Sequence, residues 1–195
     1  ALVKPLFFYG TLRHIPLLET VLGQTFDPEQ AQDAHLGGFA CYGVKDAPFP
    51  MLVAQAGQTA QGVVVSGLAP SDIERLDFYE GGFDYDLVDV VLEGGTAAQV
   101  YLCDPKRWQA DGAWDLPAWQ AQWGAMSCHA AREVMGYFGT LSRDEVAAIF
   151  PQIRGRAWSS VLGAQHRAGQ NVFAGNVEVA QHRRAYTGYF AVDEV

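Results

Sequence analysis

The pattern of apolar and polar positions changes abruptly near the N-terminus. An apolar run from Leu6 to Phe8 stops at Tyr9, Gly10 and Thr11, as expected where a buried strand enters a tight loop. Glycine lets a ligand approach the backbone closely, so the loop N–H groups and the Thr11 hydroxyl are candidates to hold a carboxylate or an amide carbonyl. Taken alone, these residues are equally consistent with a plain strand-to-helix connection.

Helix and strand patterns alternate over the rest of the first hundred residues. A first helix is indicated by Pro16 in its first turn and Gly23 just past its end. Pro48 and Pro50 lack backbone donors, so their segment is not expected to form a central strand and is assigned to a wall near the site. The predicted elements are a helix over 15–22, strands over 34–44 and 61–68, and a hairpin made of 85–91 and 97–102.

A short amphipathic helix before this hairpin ends in an acidic residue. It is predicted to begin near Pro70, with Ser71 or Asp72 as its N-cap, and Glu80 closes it just before two glycines. A carboxylate there faces the negative end of the helix dipole, which raises its pKa and disfavours a purely structural role. Because a lone glutamate is more often a solvated surface charge, its interpretation depends on the residues around it.

The chain becomes rich in tryptophan after residue 105. The segment 116–135 predicts one or two helices, with Trp119, Trp123 and Met126 at helical spacing. Such a stripe is more typical of packing, or of a partner surface, than of a ligand cage. A further short helix is predicted over 143–150, with Pro151 beyond its end.

Composition limits the range of functions. The chain has 195 residues, 49% of them hydrophobic, enough for a globular core. A net charge of −9 opposes phosphate binding, so we expect no nucleic-acid partner. No segment approaches the roughly 18 apolar residues of a membrane span, so no membrane partner is expected. Three cysteines without close spacing suit a reducing cytoplasm, and the histidines and cysteines show no metal-ligand spacing.

Three motifs occur together in a specific order. They are the loop 8–13, the Pro-Phe-Pro segment 47–53, and the helix end 76–81 followed by Tyr85. Together they resemble the gamma-glutamylcyclotransferase-like family over residues 3–103. The resemblance implies an α+β fold, a mixed β-barrel with flanking helices, followed here by a helical segment and a short β-containing tail.

The resemblance also implies a reaction. Members cyclise a γ-glutamyl group: its free α-amine attacks the side-chain carbonyl, releasing 5-oxoproline and an amine or amino acid. A single carboxylate can take the proton of the amine and return it to the leaving nitrogen, which makes Glu80 the implied catalytic acid and base. No metal or cofactor is required. The implied substrate-binding residues are Tyr9, Gly10, Thr11, Leu12 and Tyr85.

The sequence departs from the family pattern at two places. Members often carry an arginine two positions after the tyrosine that follows the glutamate, whereas Tyr85 is followed here by Asp86 and Leu87. Many members also have a Gly-Glu pair opening the strand before the helix, and here Gly62 is followed by three valines. These departures bear on substrate choice and turnover.

The C-terminal residues resemble a second protein class. Residues 177–192 are similar to the strand-rich opening of ADP-ribose pyrophosphatases of the Nudix class. Nothing after Gly155 supplies the spaced glutamates that hold Mg²⁺ in that class. We therefore divide the chain into a gamma-glutamylcyclotransferase-like domain at 1–105, a helical extension at 106–154, and a linker with the start of a truncated Nudix-like domain at 155–195.

Two functions stay open at this point. The first is an enzyme that cyclises a small γ-glutamyl amine or peptide with Glu80 as acid and base. The second is a non-catalytic binding or dimerisation module of a two-domain Nudix hydrolase, covalently attached to a catalytic part that is absent from this chain. The tryptophan-rich segment and the terminal strand are the features that favour a homodimer.

Overall fold

A computed structural model describes residues 3–81 and 85–167 of the chain. It contains six strands, four α-helices and two short 3₁₀ helices within those ranges, which confirms the predicted α+β class. The strands are β1 (Leu6–Phe8), β2 (Ala31–Val44), β3 (Ala47–Val65), β4 (Tyr85–Val91), β5 (Ala97–Cys103) and β6 (Ala110–Ala113). The helices are α1 (Ile15–Leu22), α2 (Pro70–Gly81), α3 (Leu116–Gly136) and α4 (Arg143–Arg167).

The six strands form one mixed sheet in the order β4-β5-β1-β3-β2-β6. Strand β1 lies inside it, antiparallel to β3 and parallel to β5, while the other pairs are antiparallel. The backbone N–H of Glu93, just after β4, donates to the carbonyl of His35 in β2 at 2.9 Å. The sheet therefore curls toward a barrel, and the end of β1 opens into its interior.

Strand β1 and the helices share one hydrophobic core. Leu6 and Phe7 are 0% and 1% exposed, because β1 has strand neighbours on both edges and helices beside it. In α3 the predicted stripe lies in this core: the Trp119 indole donates to the Pro48 carbonyl at 2.7 Å, and Trp123 packs against Trp158 of α4. The stripe thus joins the helical pair α3 and α4 to the sheet.

Two expectations about prolines are wrong. Pro48 and Pro50 both lie in β3, an interior strand. They are tolerated because this half of β3 pairs with β2 alone among the described strands, while β1 pairs only with 63–65.

The helix predicted over 143–150 continues through Pro151 to Arg167. An interior proline costs about 3 kcal/mol, but the residues on both sides of it continue one buried face, which includes Phe150, Ile153 and Ala157. Packing of that face outweighs the lost hydrogen bond. Residues 155–167 are therefore helical.

The predicted Nudix-like strands, over 177–192, lie outside the described residues. In the ranges 3–81 and 85–167, no helix is long and apolar enough to cross a membrane. The same ranges contain no cluster of three or more histidine, cysteine, aspartate or glutamate side chains arranged to hold a metal ion. The division into domains, the cytoplasmic location and the homodimer stay predictions.

Candidate active site

A small cavity lies where β1 ends and α2 finishes. Its volume is about 40 Å³, enough for two or three water-sized groups at roughly 15 Å³ each. The structure brings all six predicted site residues together in its lining, although they come from three separate parts of the sequence. They are Tyr9, Gly10, Thr11, Leu12, Glu80 and Tyr85.

The loop after β1 forms one wall of the cavity. It turns as a short 3₁₀ helix, in which the N–H of Arg13 donates to the Gly10 carbonyl at 3.1 Å and that of His14 to the Thr11 carbonyl at 3.0 Å. The N–H groups of Thr11 and Leu12 open this turn, where a helix offers no internal carbonyl partners. They are the donors available for an anionic or carbonyl oxygen.

Glycine is required at position 10 because a side chain has no room there. Its φ of −125° lies outside the left-handed region that favours glycine. A Cβ atom at this position would lie only 2.6 Å from Cγ of Pro50. Pro50 and its neighbour Phe49 both line the cavity, as the predicted wall requires.

We expect Gly10→Ala to distort this wall. The added methyl group displaces Pro50 or the loop, at a cost of about 1–3 kcal/mol for overpacking, and it moves the loop N–H groups away from the cavity. Thermal unfolding and ligand titration measure the two effects. Gly136→Ala is the matched control, because an added Cβ meets no atom within 4 Å there; equal behaviour of the two variants contradicts the prediction.

Three tyrosine hydroxyls tie the cavity walls to the rest of the fold. Tyr9 donates to the Tyr101 carbonyl at 2.9 Å, and Tyr85 donates to the Pro50 carbonyl at 2.6 Å. Tyr101 in turn donates to the Asp77 carboxylate at 2.7 Å. Since each of these protons is already used, Tyr9 and Tyr85 offer a ligand their rings and oxygen lone pairs.

Helix α2 directs Glu80 into the cavity. Pro70 starts the helix, and the Asp72 carboxylate accepts from the backbone N–H of Ala69 at 2.8 Å, a reciprocal capping contact. Leu76 and Glu80 are four positions apart and therefore share the buried face. Ser71 and Asp72 were predicted as N-caps, but Asp72 caps the helix from inside its first turn.

The Glu80 side chain is a buried carboxyl group. The residue is 9% exposed, and burial raises its pKa to about 8. The direction agrees with the sequence argument, but its cause is desolvation. Within residues 3–81 and 85–167, no lysine or arginine forms an ion pair with Glu80. The group is therefore mostly protonated at neutral pH and can exchange its proton near pH 8.

Tyr9 stays protonated beside this carboxyl group. Burial, and then the charge of Glu80, raise the pKa of its phenol well above the ordinary value. Tyr9 is therefore a neutral phenol beside Glu80 at ordinary pH.

Sequence reasoning missed two aromatic residues of the lining. Tyr79 and Tyr101 both line the cavity. Tyr79 lies on the buried face of α2 and directly precedes Glu80, which is the signal that could have identified it. Tyr101 gave no comparable signal, because its position depends on the parallel pairing of β5 with β1.

The two departures from the family pattern lie outside the cavity lining. Leu87 pairs with Tyr101 in the sheet and faces an open groove beside α2. Val63 and Val64 pair with Phe8 and Phe7. Gly62 is needed by β1, because a Cβ there would lie 2.8 Å from the Phe7 ring.

The fold and the site together define a class: an α+β barrel-like sheet with a buried carboxyl group facing a glycine loop. Residues 6–116 match the family model described as "Gamma-glutamyl cyclotransferase, AIG2-like". The chain belongs to this family. The match ends at residue 116 and lends no support to a Nudix segment.

Similar proteins include a curated plant relative and solved structures. The chain is 26% identical to Protein AIG2 C of Arabidopsis thaliana over 123 residues, which are 58% of this chain and 70% of that protein. A solution structure of an Arabidopsis thaliana protein is 22% identical, with a TM-score of 0.48 over 70% of this chain and 84% of the other. A structure titled "Gamma-glutamyl cyclotransferase" is 17% identical, with a TM-score of 0.41 over 55% and 69%.

Proposed function

We propose that this protein cyclises a small γ-glutamyl amine or peptide to 5-oxoproline, with Glu80 as the catalytic acid and base. The observation that carries the proposal is a buried carboxyl group with a pKa of about 8 that lines one cavity with a glycine loop. Membership of the family supports the same reaction.

The reaction needs one proton relay. The Glu80 carboxylate takes a proton from the substrate's α-ammonium, and the freed amine attacks the γ-carbonyl carbon to form the ring C–N bond. As the original C–N bond breaks, Glu80 gives this proton to the leaving nitrogen. The ring nitrogen loses its second proton to the same carboxylate, which passes it to the released amine, so that the amine leaves as an ammonium. The products are 5-oxoproline and an amine, with no net oxidation or reduction. General acid–base catalysis of this kind contributes about 10²–10⁴-fold.

The loop N–H groups have the second role. No lysine or arginine is among the described residues that line the cavity, so an anionic oxygen there depends on backbone donors. The N–H groups of Thr11 and Leu12 supply them, for the substrate carboxylate or for the oxygen that becomes negative during attack. Holding the substrate in its folded form contributes up to about 7–11 kcal/mol for well-oriented intramolecular reactions.

Activity should rise with pH through the titration of Glu80. The base form is the carboxylate, so kcat/KM increases as pH approaches 8 and levels off above it. Initial rates from about pH 5 to about pH 10 measure this profile, with the α-amine of the substrate titrated separately by NMR. An inflection near pH 4–5, the ordinary range of a carboxyl group, contradicts the assignment.

The test of the function itself is release of 5-oxoproline from a panel of γ-glutamyl amines and γ-glutamyl dipeptides. We expect release from at least one compound, and its leaving group identifies the substrate class. No release from the whole panel, with folded protein, overturns the proposal.

The small cavity volume favours one second candidate, a non-catalytic binding module. About 40 Å³ accommodates one end of a ligand, such as a carboxylate or amide group, while the rest of a γ-glutamyl compound extends outside this volume. In this case 5-oxoproline or glutamate binds without turnover, and calorimetry detects binding that Gly10→Ala weakens.

A further inference from the structure

The C-terminal turn of α2, which carries Glu80, is held from outside the family domain. Arg143 is the first residue of α4 and lies beyond the matched residues 6–116. Its Nη1 donates to the Asp77 carbonyl at 3.2 Å. Asp77 lies four residues before Gly81, the last residue of α2, and a carbonyl oxygen has two lone pairs, so it can accept the guanidinium as a second donor beside the helical N–H. A cation at this end is also favoured by the helix dipole.

Gly81 makes the close approach of Arg143 possible. A Cβ atom at Gly81 would lie 2.6 Å from Cδ and 2.6 Å from Cζ of Arg143. Any larger residue at 81 therefore displaces the guanidinium group. The contact thus depends on two residues. Arg143 on α4 supplies the guanidinium group, and Gly81, directly after Glu80, leaves room for it.

The opposite side of the same turn is fixed by the sheet. The Asp77 carboxylate accepts from the Tyr101 hydroxyl at 2.7 Å, and Phe78 packs edge-on against Phe138, with 5.4 Å between ring centroids. Asp77 is therefore bonded through its side chain to β5 and through its carbonyl to α4. Removing either bond frees one side of the turn.

We propose that Arg143 is a positioning residue, which holds the last turn of α2 so that the Glu80 carboxyl group stays buried in the cavity. Arg143 is exposed and does not line the cavity. It touches neither Glu80 nor the space for a substrate, so it acts through the backbone of α2.

Arg143 could affect the Glu80 pKa through its contact with α2 or through its positive charge, and loss of each should change that pKa in the opposite direction. The groups that face Glu80 electrostatically are Tyr9 of the loop, and Tyr101 and Cys103 of β5. All three are neutral at ordinary pH, and burial is the cause of the raised Glu80 pKa. Loss of a nearby cation by itself raises a carboxyl pKa, whereas loosening the turn admits water and lowers it. The sign of the change therefore separates the two roles.

The experiment follows the Glu80 carboxyl carbon by ¹³C NMR during a pH titration, without substrate. In wild-type protein we expect a midpoint near 8, and in Arg143→Ala a midpoint lower by about one unit or more. Gly81→Ala, which displaces the guanidinium from the other side, should give the same shift. The double variant should shift no further than either single variant, because both break one contact.

Arg156→Ala is the matched control. Arg156 is also exposed on α4, but it pairs with Glu133 on α3. It should leave the Glu80 midpoint unchanged. An unchanged or raised midpoint in both Arg143→Ala and Gly81→Ala overturns the proposal, and so do additive shifts in the double variant. If Arg143→Ala does not fold, the titration of Gly81→Ala alone tests the proposal. This variant should fold, since alanine is a better helix residue than glycine.

A kinetic measurement extends the test and rests on the proposed cyclisation. In both variants we expect kcat to fall about tenfold, with KM within about twofold of wild type, as for a misplaced catalytic group. If wild-type protein releases no 5-oxoproline but the NMR midpoints still shift, the proposed function fails and the positioning role of Arg143 stands. Weaker substrate binding alone overturns the positioning role. It would appear as a raised KM, with kcat and the midpoint of the Glu80 titration unchanged.

Discussion

Glu80→Gln should lower turnover of a γ-glutamyl substrate by about 10²–10⁴-fold, the usual contribution of a general acid–base group. Glutamine keeps the shape of the side chain and fills the same buried position, so the cavity is preserved. It has no proton to exchange near neutral pH. We therefore expect kcat to fall while binding of a product such as 5-oxoproline changes little. Single-turnover release of 5-oxoproline, together with calorimetry, measures both.

A second carboxylate on α2 provides the control for this substitution. Glu74 lies on the same helix six positions earlier but is exposed, so Glu74→Gln makes the same chemical change outside the cavity. Its activity should match that of wild-type protein. Wild-type turnover in Glu80→Gln removes Glu80 from the mechanism, whereas equal losses in both variants show that the loss does not depend on the buried carboxyl group.

The same buried carboxyl group should make the stability of the protein depend on pH. Folding raises the pKa of Glu80 from 4.5 to about 8, so between these values the folded state binds more protons than the unfolded chain. The contribution of the neutral group is fully present below about pH 4.5 and is lost as pH rises through 8. At about pH 9 this loss amounts to about 3–5 kcal/mol, a large share of the 5–15 kcal/mol typical of a domain.

Glu80→Gln isolates this contribution. The variant cannot ionise at this position, so it should resemble wild-type protein near pH 4 and be more stable by about 3–5 kcal/mol near pH 9. Urea unfolding at several pH values measures the free energy of unfolding of both proteins. The difference between the two curves removes the effect of all other titrating groups. A difference that does not change with pH contradicts the raised pKa of Glu80.

These two predictions have one physical origin. A carboxyl group that exchanges its proton near pH 8 must be kept from water, and its charged form then destabilises the fold. The substitution that removes the proposed chemistry is therefore the one expected to stabilise the protein. Opposed effects of this kind are common where activity needs a destabilised site.

Much of the site could be predicted because its parts are marked locally. The apolar run that stops at Tyr9 and Gly10 predicts a strand and a loop from neighbouring residues alone. Pro70 and the polar residues after it predict the start of the helix that Glu80 closes. The order of these motifs along the chain led to the family, which the match over residues 6–116 now shows.

The errors concern features that depend on distant residues. Pro50 was excluded from an interior strand, because its sequence does not reveal that this half of β3 has a single strand neighbour. Pro151 was taken as the end of a helix, because the packing of Ile153 and Trp158 against the core is not visible in the local pattern. In both cases tertiary packing outweighed a local preference.

The sequence by itself determined the class of fold, the positions of most helices and strands, and the residues that meet in the cavity. The helices and strands follow from periodicity and turn residues, which act over a few positions along the chain, whereas the fold class and the set of cavity residues follow from the resemblance of three motifs to a known family. The tertiary structure decided that Glu80 is buried with a raised pKa, that Gly10 leaves room for Pro50, and that Arg143 reaches the last turn of α2. Desolvation and close contact arise between segments far apart in sequence, so only the folded chain specifies them.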